Sequence, residues 1–304
     1  MELSRLPRLT LRQLAYFEAV ARHKHFGRAA EACAVSQPAL SVQIQELERE
    51  LGASLVERNR SGVALTPQGE YVVQRVRRIL GEIQDLMDCA QNEAIGTLRL
   101  GVIPTIAPYL MPAILKAFQK QSPTAQLQVR ETQTARLIEE LEQGNIELVL
   151  AALPIASPVI EVLPLFQDRF FLIVPANSRI GPKIDSIAAI QSHKLLLLEE
   201  GHCLREQALS VCSMADKEML SSLGATSLAT LIELVAAGMG VTLLPELCLP
   251  SIKSDNRVRV VRFRGAAPSR TIGLAWRKTS GRKSVFRRLG ALIFQTHKAH
   301  RRAT

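Results

Sequence analysis

Residues 34–52 read AVSQPALSVQIQELERELG, and the rest of the chain is interpreted outward from them. Ser36 carries the short hydroxyl that accepts from an unpaired N–H at a helix start, Pro38 suits the first turn, and Gly52 provides the left-handed stop. Leu40, Ile44, Leu47 and Leu51 follow at spacings of four, three and four, which predicts an amphipathic helix with these residues inward. Ser36, Gln37, Pro38, Ala39, Ser41 and Gln43 then occupy its outer N-terminal half. Small and amide side chains suit base edges in a major groove, where Gln pairs with adenine and Ala touches a thymine methyl. Glu46, Glu48 and Glu50 gather at the far end, where carboxylates repel phosphate, so only the first two turns are expected to lie deep in a groove.

Upstream, Thr10 caps a helix with Leu11, Leu14, Phe17 and Ala21 on one face, and HKHF at 23–26 breaks it before a short helix with Phe26, Ala29, Ala30 and Cys33 inward. Helix, turn and bounded helix together predict a helix-turn-helix. Downstream, LVERNRSGVALT at 55–66 alternates around a Ser61–Gly62 turn and predicts a two-stranded wing, with Arg58 and Arg60 placed for phosphate or minor groove. From Pro67 a long helix follows. Val73, Val76, Leu80, Ile83, Met87 and Ala90 form a heptad seam suited to pairing with another copy, along a rod of roughly 40 Å. Cys89 lies beside the seam as packing.

The character changes after a hinge at 92–96. TLRLGVIP, AQLQVRET and IELVLAAL read as strands alternating with the helices PYLMPAILKAFQKQSP and QTARLIEELEQGN, which predicts an α/β domain with a mainly parallel sheet. RFFLIVP, HKLLLLEE, GVTLLP and RTIGLAWR continue as strands, CLREQALSVC and TSLATLIELVAAG as helices, before a basic C-terminal helix. The expected organisation is a winged helix-turn-helix over 1–66, a coiled-coil linker over 67–94 and an effector domain over 95–304. The effector domain divides into lobe I, about 95–169 and 270–304, and lobe II, about 170–269, around a cleft.

Composition narrows the function classes. The net charge is +10, yet residues 253–304 carry 15 Lys/Arg against one acid, so residues 1–252 sum to −4. Bulk charge therefore does not single out a DNA-binding end; the C-terminal basic run, RKTSGRKSVFRRLG and HKAHRR, is expected to be a solvated helix face and frayed tail. No apolar run long enough to span a bilayer and no leader pattern is present, so a cytoplasmic, membrane-free protein is expected. Five scattered cysteines form neither a disulfide framework nor a metal cluster, and no cofactor or metal is expected.

Cys203 and Cys212 nevertheless stand out in GHCLREQALSVC, residues 201–212. Cys203 falls at a helix start, where the macrodipole favours thiolate, with His202 or Arg205 as possible aid. Cys212 falls on the apolar side, protonated at rest. Nine residues of helix separate the two Cα atoms by roughly 13 Å, whereas a disulfide needs about 5.5 Å. The two thiols cannot be joined while that helix stands.

FGRAAEACAVSQPALSVQIQELERELGASLVER at 26–58 and LTPQG at 65–69 closely resemble the DNA-binding domain of LysR-type transcriptional regulators, and the resemblance extends to about residue 290. It implies a winged helix-turn-helix, a linker helix and a two-lobed effector domain folded like a type 2 periplasmic binding protein. It also implies homodimers assembled into a homotetramer on double-stranded promoter DNA, acting on RNA polymerase. GHCLREQALSVC, with ATSLATLIELVAAGMGVTLLP after it, resembles the peroxide-sensing branch of that family, in which oxidation by hydrogen peroxide activates genes. The resemblance makes Cys203 the peroxide-reactive thiol and Cys212 its disulfide partner, reset by a cellular thiol reductant. Thr105 in GVIPT, Thr134 in ETQT, His202 and Arg270 in RTIGL match the peroxide pocket. Glu206 departs from the pattern, standing where Asp is expected; Cys33, Cys89 and Cys248 acquire no role. Two other readings stay open. One is a regulator of the same fold that binds a small anion at Thr105 with inert cysteines; the other is a thiol peroxidase or hydrolase using Cys203 and His202, which leaves the helix-turn-helix unexplained.

Overall fold

The computed structural model describes residues 9–59, 62–90, 96–185, 193–201, 203–211, 220–265 and 267–303. The chain divides into two compact units, one built on the N-terminal residues through 92 and the other on the residues after it.

In the first unit, helix α1 (Leu11–His23) opens on a reciprocal cap: the Thr10 hydroxyl accepts from Gln13 N–H at 3.2 Å and the Gln13 side chain accepts from Thr10 N–H at 2.8 Å. Helix α2 (Phe26–Ala32) is capped by His25 Nδ1, and α3 (Gln37–Leu51) by Ser36, whose Oγ accepts from Ala39 N–H at 3.3 Å. Gly52 ends α3 at φ +65°. Leu14, Phe17, Val20, Phe26, Leu40, Ile44 and Leu47 close one core. Three of the expected inward residues depart from it. Leu11 and Leu51 are 49% and 39% exposed, because each stands in a terminal turn beyond the reach of the neighbouring helices. Cys33 terminates α2 rather than lining its inner face, and is half-buried at the core's margin.

Strands β1 (Val56–Asn59) and β2 (Gly62–Leu65) form the wing. Asn59 pairs with Gly62, which opens β2; Ser61 of the expected Ser61–Gly62 turn lies outside the described residues. Arg60 lies outside the described residues, and Arg58 belongs to β1. Helix α4 (Pro67–Ala90) starts on Thr66, whose Oγ1 donates to Ser54 O at 2.7 Å and accepts from Gly69 N–H at 2.9 Å. A Cβ on Gly69 would stand 2.0 Å from Leu55 O, which explains the glycine of LTPQG. Of the expected seam, Val73 and Val76 are buried in the unit's own core and Met87 is 52% exposed; Ile79 and Leu86, outside that seam, are 44% and 68% exposed.

In the second unit, β3 (Thr97–Val102), β4 (Gln126–Glu131) and β5 (Leu148–Leu153) run parallel in the order β4-β3-β5, with α5 (Ala107–Gln121) and α6 (Thr134–Glu142) as crossovers. The sheet then turns antiparallel. Strand β12 (Ser269–Arg277) pairs with β5 on one side and β6 (Ile160–Pro175) on the other; β6 carries on to pair with β10 (Thr242–Pro245) and β11 (Val258–Phe263). The expectation of a mainly parallel sheet is corrected: the long strands β6 and β12 run antiparallel to each other and to β5, β10 and β11, partners that are distant in the chain. Short β7 (Lys183–Ile184) lies parallel to β11. Strand β8 (Leu195–Leu198) leads into α7 (Cys203–Val211) and pairs parallel with β9 (Leu220–Ala225), followed by α8 (Leu228–Ala236). A 3₁₀ helix spans Glu246–Ile252, and α9 (Lys283–Ala303) ends the described chain.

Two separate cores define the lobes, one around Leu100, Ile114, Leu148, Trp276 and Phe286, the other around Phe170, Leu172, Leu197, Leu231 and Leu244. The basic C-terminus is less solvated than expected. Arg277 donates to the carbonyls of Leu141 and Ile146 at 2.6 and 3.1 Å, and Arg282 pairs with Glu147, with side chains 3% and 4% exposed. Helix α9 stays helical to Ala303 rather than fraying, because Phe286, Leu289 and Ile293 bury its inner stripe. Among the described residues no helix is long and apolar enough to cross a membrane.

Replacing Glu147 by Ala strands the Arg282 guanidinium in a buried site, and the effector unit should lose about 3–5 kcal/mol, read as a lower urea midpoint. A midpoint within error of the parent would contradict this.

Candidate functional site

The expected reading face is the N-terminal half of α3. Gln37, Pro38 and Ala39 are exposed there, whereas Ser41 and Gln43 are half-buried. The Ser36 hydroxyl is committed to the cap, and the Gln43 amide donates to Glu46 Oε2 at 2.9 Å. Glu46 also accepts from Gln13 at 3.3 Å, and Glu48 Oε1 accepts from the N–H groups of Leu55 and Val56 at 2.7 and 3.1 Å. Two of the three carboxylates expected to repel phosphate therefore work inside the domain, leaving Glu50 outward. Glu48 fixes the root of the wing to α3. Its partners lie seven and eight residues downstream in another element, so no periodicity could announce that role.

In the second unit, the turn after β8 passes through Gly201 at φ +88°, where a Cβ would stand 2.6 Å from Gln133 Oε1. That glycine lets the chain enter α7 with Cys203 at its first position. Cys203 is half-buried and packs against the lobe I core. A small cavity of about 10 Å³, the room one water-sized molecule needs, is lined by Pro104, Thr105, Gln133, Thr134 and Cys203. Thr134 Oγ1, at the start of α6, is buried without a hydrogen-bond partner.

Thr105 is held from behind. Its Oγ1 accepts from Arg270 Nη1 at 2.8 Å and its carbonyl from Arg270 Nη2 at 3.3 Å. Arg270 pairs with Asp168 at 2.9 Å, both side chains 1% exposed, and Asp168 Oδ1 accepts from Leu247 N–H at 3.1 Å. Cys248, fully buried, donates its S–H to Thr105 O at 3.6 Å. Burial pushes the Cys248 thiol up to about 12, and the Tyr109 hydroxyl beside it also to about 12.

Cys203, Thr105 and Thr134 thus meet at one cavity, and Arg270 stands one bond behind Thr105. His202 and Cys212 lie outside the described residues. Arg205 is spent elsewhere, donating to Leu198 O at 3.1 Å, and Glu206 is exposed. Sequence reading missed Asp168, Cys248 and Gln133. Asp168 faces Arg270 only through the β6–β12 register, 102 residues away along the chain.

Residues 11–70 match the bacterial regulatory helix-turn-helix protein, lysR family, and residues 91–297 the LysR substrate binding domain. The chain belongs to the LysR family of transcriptional regulators, a winged helix-turn-helix joined to a two-lobed α/β effector domain. Within that family it is similar to OxyR. The full-length structure of an OxyR variant from Pseudomonas aeruginosa is 34% identical with a TM-score of 0.79, covering 94% of this chain and 98% of that one. A probable hydrogen peroxide-inducible genes activator from Streptomyces viridosporus is 41% identical, covering 93% of each chain. The HTH-type transcriptional regulator EstR from Acinetobacter baylyi is 39% identical over 91% of this chain and 93% of its own.

With its thiol neutral well above pH 8 and no solvent path, Cys248 should resist alkylation in the native protein and react fully after unfolding in urea. Mass mapping of iodoacetamide adducts at pH 8 checks this; native labelling of Cys248 as fast as that of Cys203 would contradict the buried arrangement.

Proposed function

We propose that this chain is a hydrogen-peroxide-responsive transcription regulator in which oxidation of Cys203 changes how the helix-turn-helix grips promoter DNA. The observation that carries the reading is the water-sized cavity joining the Cys203 thiol, the unpartnered Thr134 hydroxyl and a Thr105 fixed by a buried ion pair. A metabolite does not fit in such a space, and the charge of Arg270 is already neutralised by Asp168, which speaks against an anionic effector there. The names of the Streptomyces and Pseudomonas relatives point the same way.

The chemistry follows from the groups present. The Cys203 thiolate attacks one peroxide oxygen, the O–O bond breaks, and the departing hydroxide takes a proton to leave as water. Cys203 is then a sulfenic acid. Thr105 and Thr134 orient the oxidant by hydrogen bonds, with His202 completing the pocket and Arg270 holding Thr105 in place. Attack by the Cys212 thiol on the sulfenic sulfur expels a second water and forms the disulfide. Helix α7 holds residues 203–211 about 12 Å apart along its axis, so closing the bond unwinds it. Oxidation is thereby converted into a change of shape.

In this reading residues 1–66 read DNA, with Gln37, Ala39, Ser41 and Gln43 toward bases and Arg58 and Arg60 toward the backbone. Residues 67–94 pair two copies through the exposed face of α4, and residues 95–304 sense. Their two lobes, about 95–169 with 270–304 and about 170–269, meet at the redox pocket. The regulator works in the cytoplasm as a homotetramer on double-stranded DNA, activates transcription through RNA polymerase, and is reset by a cellular thiol reductant.

One equivalent of hydrogen peroxide should consume two thiols and yield a 203–212 cross-linked peptide by mass mapping. In footprinting, the protected promoter region should change on oxidation, and Cys203→Ser should bind DNA yet lose that change. Both thiols remaining reduced after stoichiometric peroxide would sink the reading. Gln37→Ala should relax sequence preference by about 1–3 kcal/mol at one base pair, and unaltered preference in a competition assay would show that α3 lies differently on DNA.

A further inference from the structure

A second cavity in the effector unit, of about 460 Å³, lies apart from the redox pocket. It is within the size range of small-molecule sites. One wall is the 3₁₀ helix, with Leu247, Leu249 and Pro250; Phe171 of β6 and Val260 of β11 extend the apolar lining. Its polar lining is mostly cationic: Lys253, Arg262 and Arg301, with His297 and His300, against the single acid Glu246, which pairs with Arg301 at 3.3 Å. Arg262 has no ion-pair partner among the described residues. The His297 ring stacks on Phe166 at 3.7 Å, and its Nδ1 is buried without a hydrogen-bond partner. Burial lowers the pKa of this imidazole, favouring the neutral form that both donates and accepts.

An apolar lining with surplus positive charge selects a ligand with a hydrocarbon body and one anionic end. A cation would meet three basic side chains, a phosphate would leave the apolar wall unfilled, and a neutral hydrocarbon would leave Arg262 unused. The wall also bears on the redox pocket. The 3₁₀ helix that lines the cavity through Leu247 gives its Leu247 N–H to Asp168 and its neighbouring Cys248 S–H to Thr105 O. Whatever orders that helix orders the groups that fix Thr105.

We propose that this cavity is an effector site for an apolar monocarboxylate, and that its occupation tunes the reactivity of Cys203 through the 3₁₀ helix. The binding half of the proposal stands by itself, whereas the tuning half rests on the peroxide-sensing reading above. Arg262 is the principal partner of the carboxylate, and Lys253 supports it. A ligand that immobilises the helix removes motion that Thr105 would otherwise lose on holding peroxide, so occupation accelerates oxidation.

The test uses the full chain, octanoate, and octanamide as the neutral isostere. Calorimetry should give saturable binding of one octanoate per chain, at least tenfold weaker for octanamide and for Arg262→Ala, and unchanged for Cys203→Ser. Stopped-flow oxidation by peroxide should then be at least twofold faster with octanoate bound, and the acceleration should vanish in Arg262→Ala. No saturable heat up to millimolar octanoate, or equal affinity for octanamide, overturns the site. Binding without acceleration overturns the tuning. If peroxide leaves Cys203 reduced with or without octanoate while binding persists, it is the peroxide-sensing reading that fails and the site that stands.

Discussion

A buried ion pair between Arg270 of β12 and Asp168 of β6 governs the arrangement of the effector domain. Removing two charges from water costs several kcal/mol each, and only close pairing with further hydrogen bonds offsets it. Both partners meet that condition: Asp168 takes a backbone N–H from Leu247, and Arg270 gives two bonds to Thr105. The pair therefore ties the long strands shared by the lobes to the loop after β3 and to the 3₁₀ helix. Thr105 is consequently aimed at the cavity by a rigid element rather than by its own rotamer preference. The pair also neutralises the charge of Arg270 behind the pocket. That leaves room for a small uncharged oxidant and little attraction for an anion.

The thiol sits on the least committed element of this frame. Cys203 begins a nine-residue helix, too short to be stable without its contacts. Leu204 and Ala208 are its buried anchors, and Arg205 ties it to Leu198 O. In the proposed switch a rigid pocket and a marginal helix divide the labour: the pocket would hold the reduced thiol beside Thr105 and Thr134, and the helix would yield once a covalent bond demands it. Had the thiol stood on β3 or β5, with their buried ladders, oxidation would have met a core that resists deformation.

Periodicity and capping made most of the elements legible. Thr10, Ser36 and Gly52 mark their helix ends by chemistry that acts within four residues, and the sequence shows such signals directly. Cys203 stands out in the sequence by its place at a helix start, whereas its sharing of one cavity with Thr105 and Thr134 is legible only by likeness to a family, since the three come from segments far apart in the chain. What stayed hidden depends on pairing across distance. Asp168 is an unremarkable acid until the β6–β12 register sets it opposite Arg270. Glu48 looks like a surface carboxylate until the wing returns to it, and the basic C-terminus looks solvated until Glu147 receives Arg282. The N-terminal end of the α4 seam is hidden for a related reason: Val73 and Val76 satisfy a heptad, but the helix-turn-helix core claims them first. The first half of β6 is hidden in the sequence because residues 161–165 alternate between half-buried and exposed positions instead of forming an apolar run.

The central claim is that oxidation at Cys203 is transmitted by unwinding α7 while the Asp168–Arg270 frame holds. Hydrogen–deuterium exchange of the reduced protein and of protein treated with one equivalent of peroxide measures this directly, peptide by peptide. The account predicts that the amides of 204–211 lose their protection on oxidation while those of β6 and β12 keep theirs. Equal protection of 204–211 in the two states, with both thiols consumed, would contradict it.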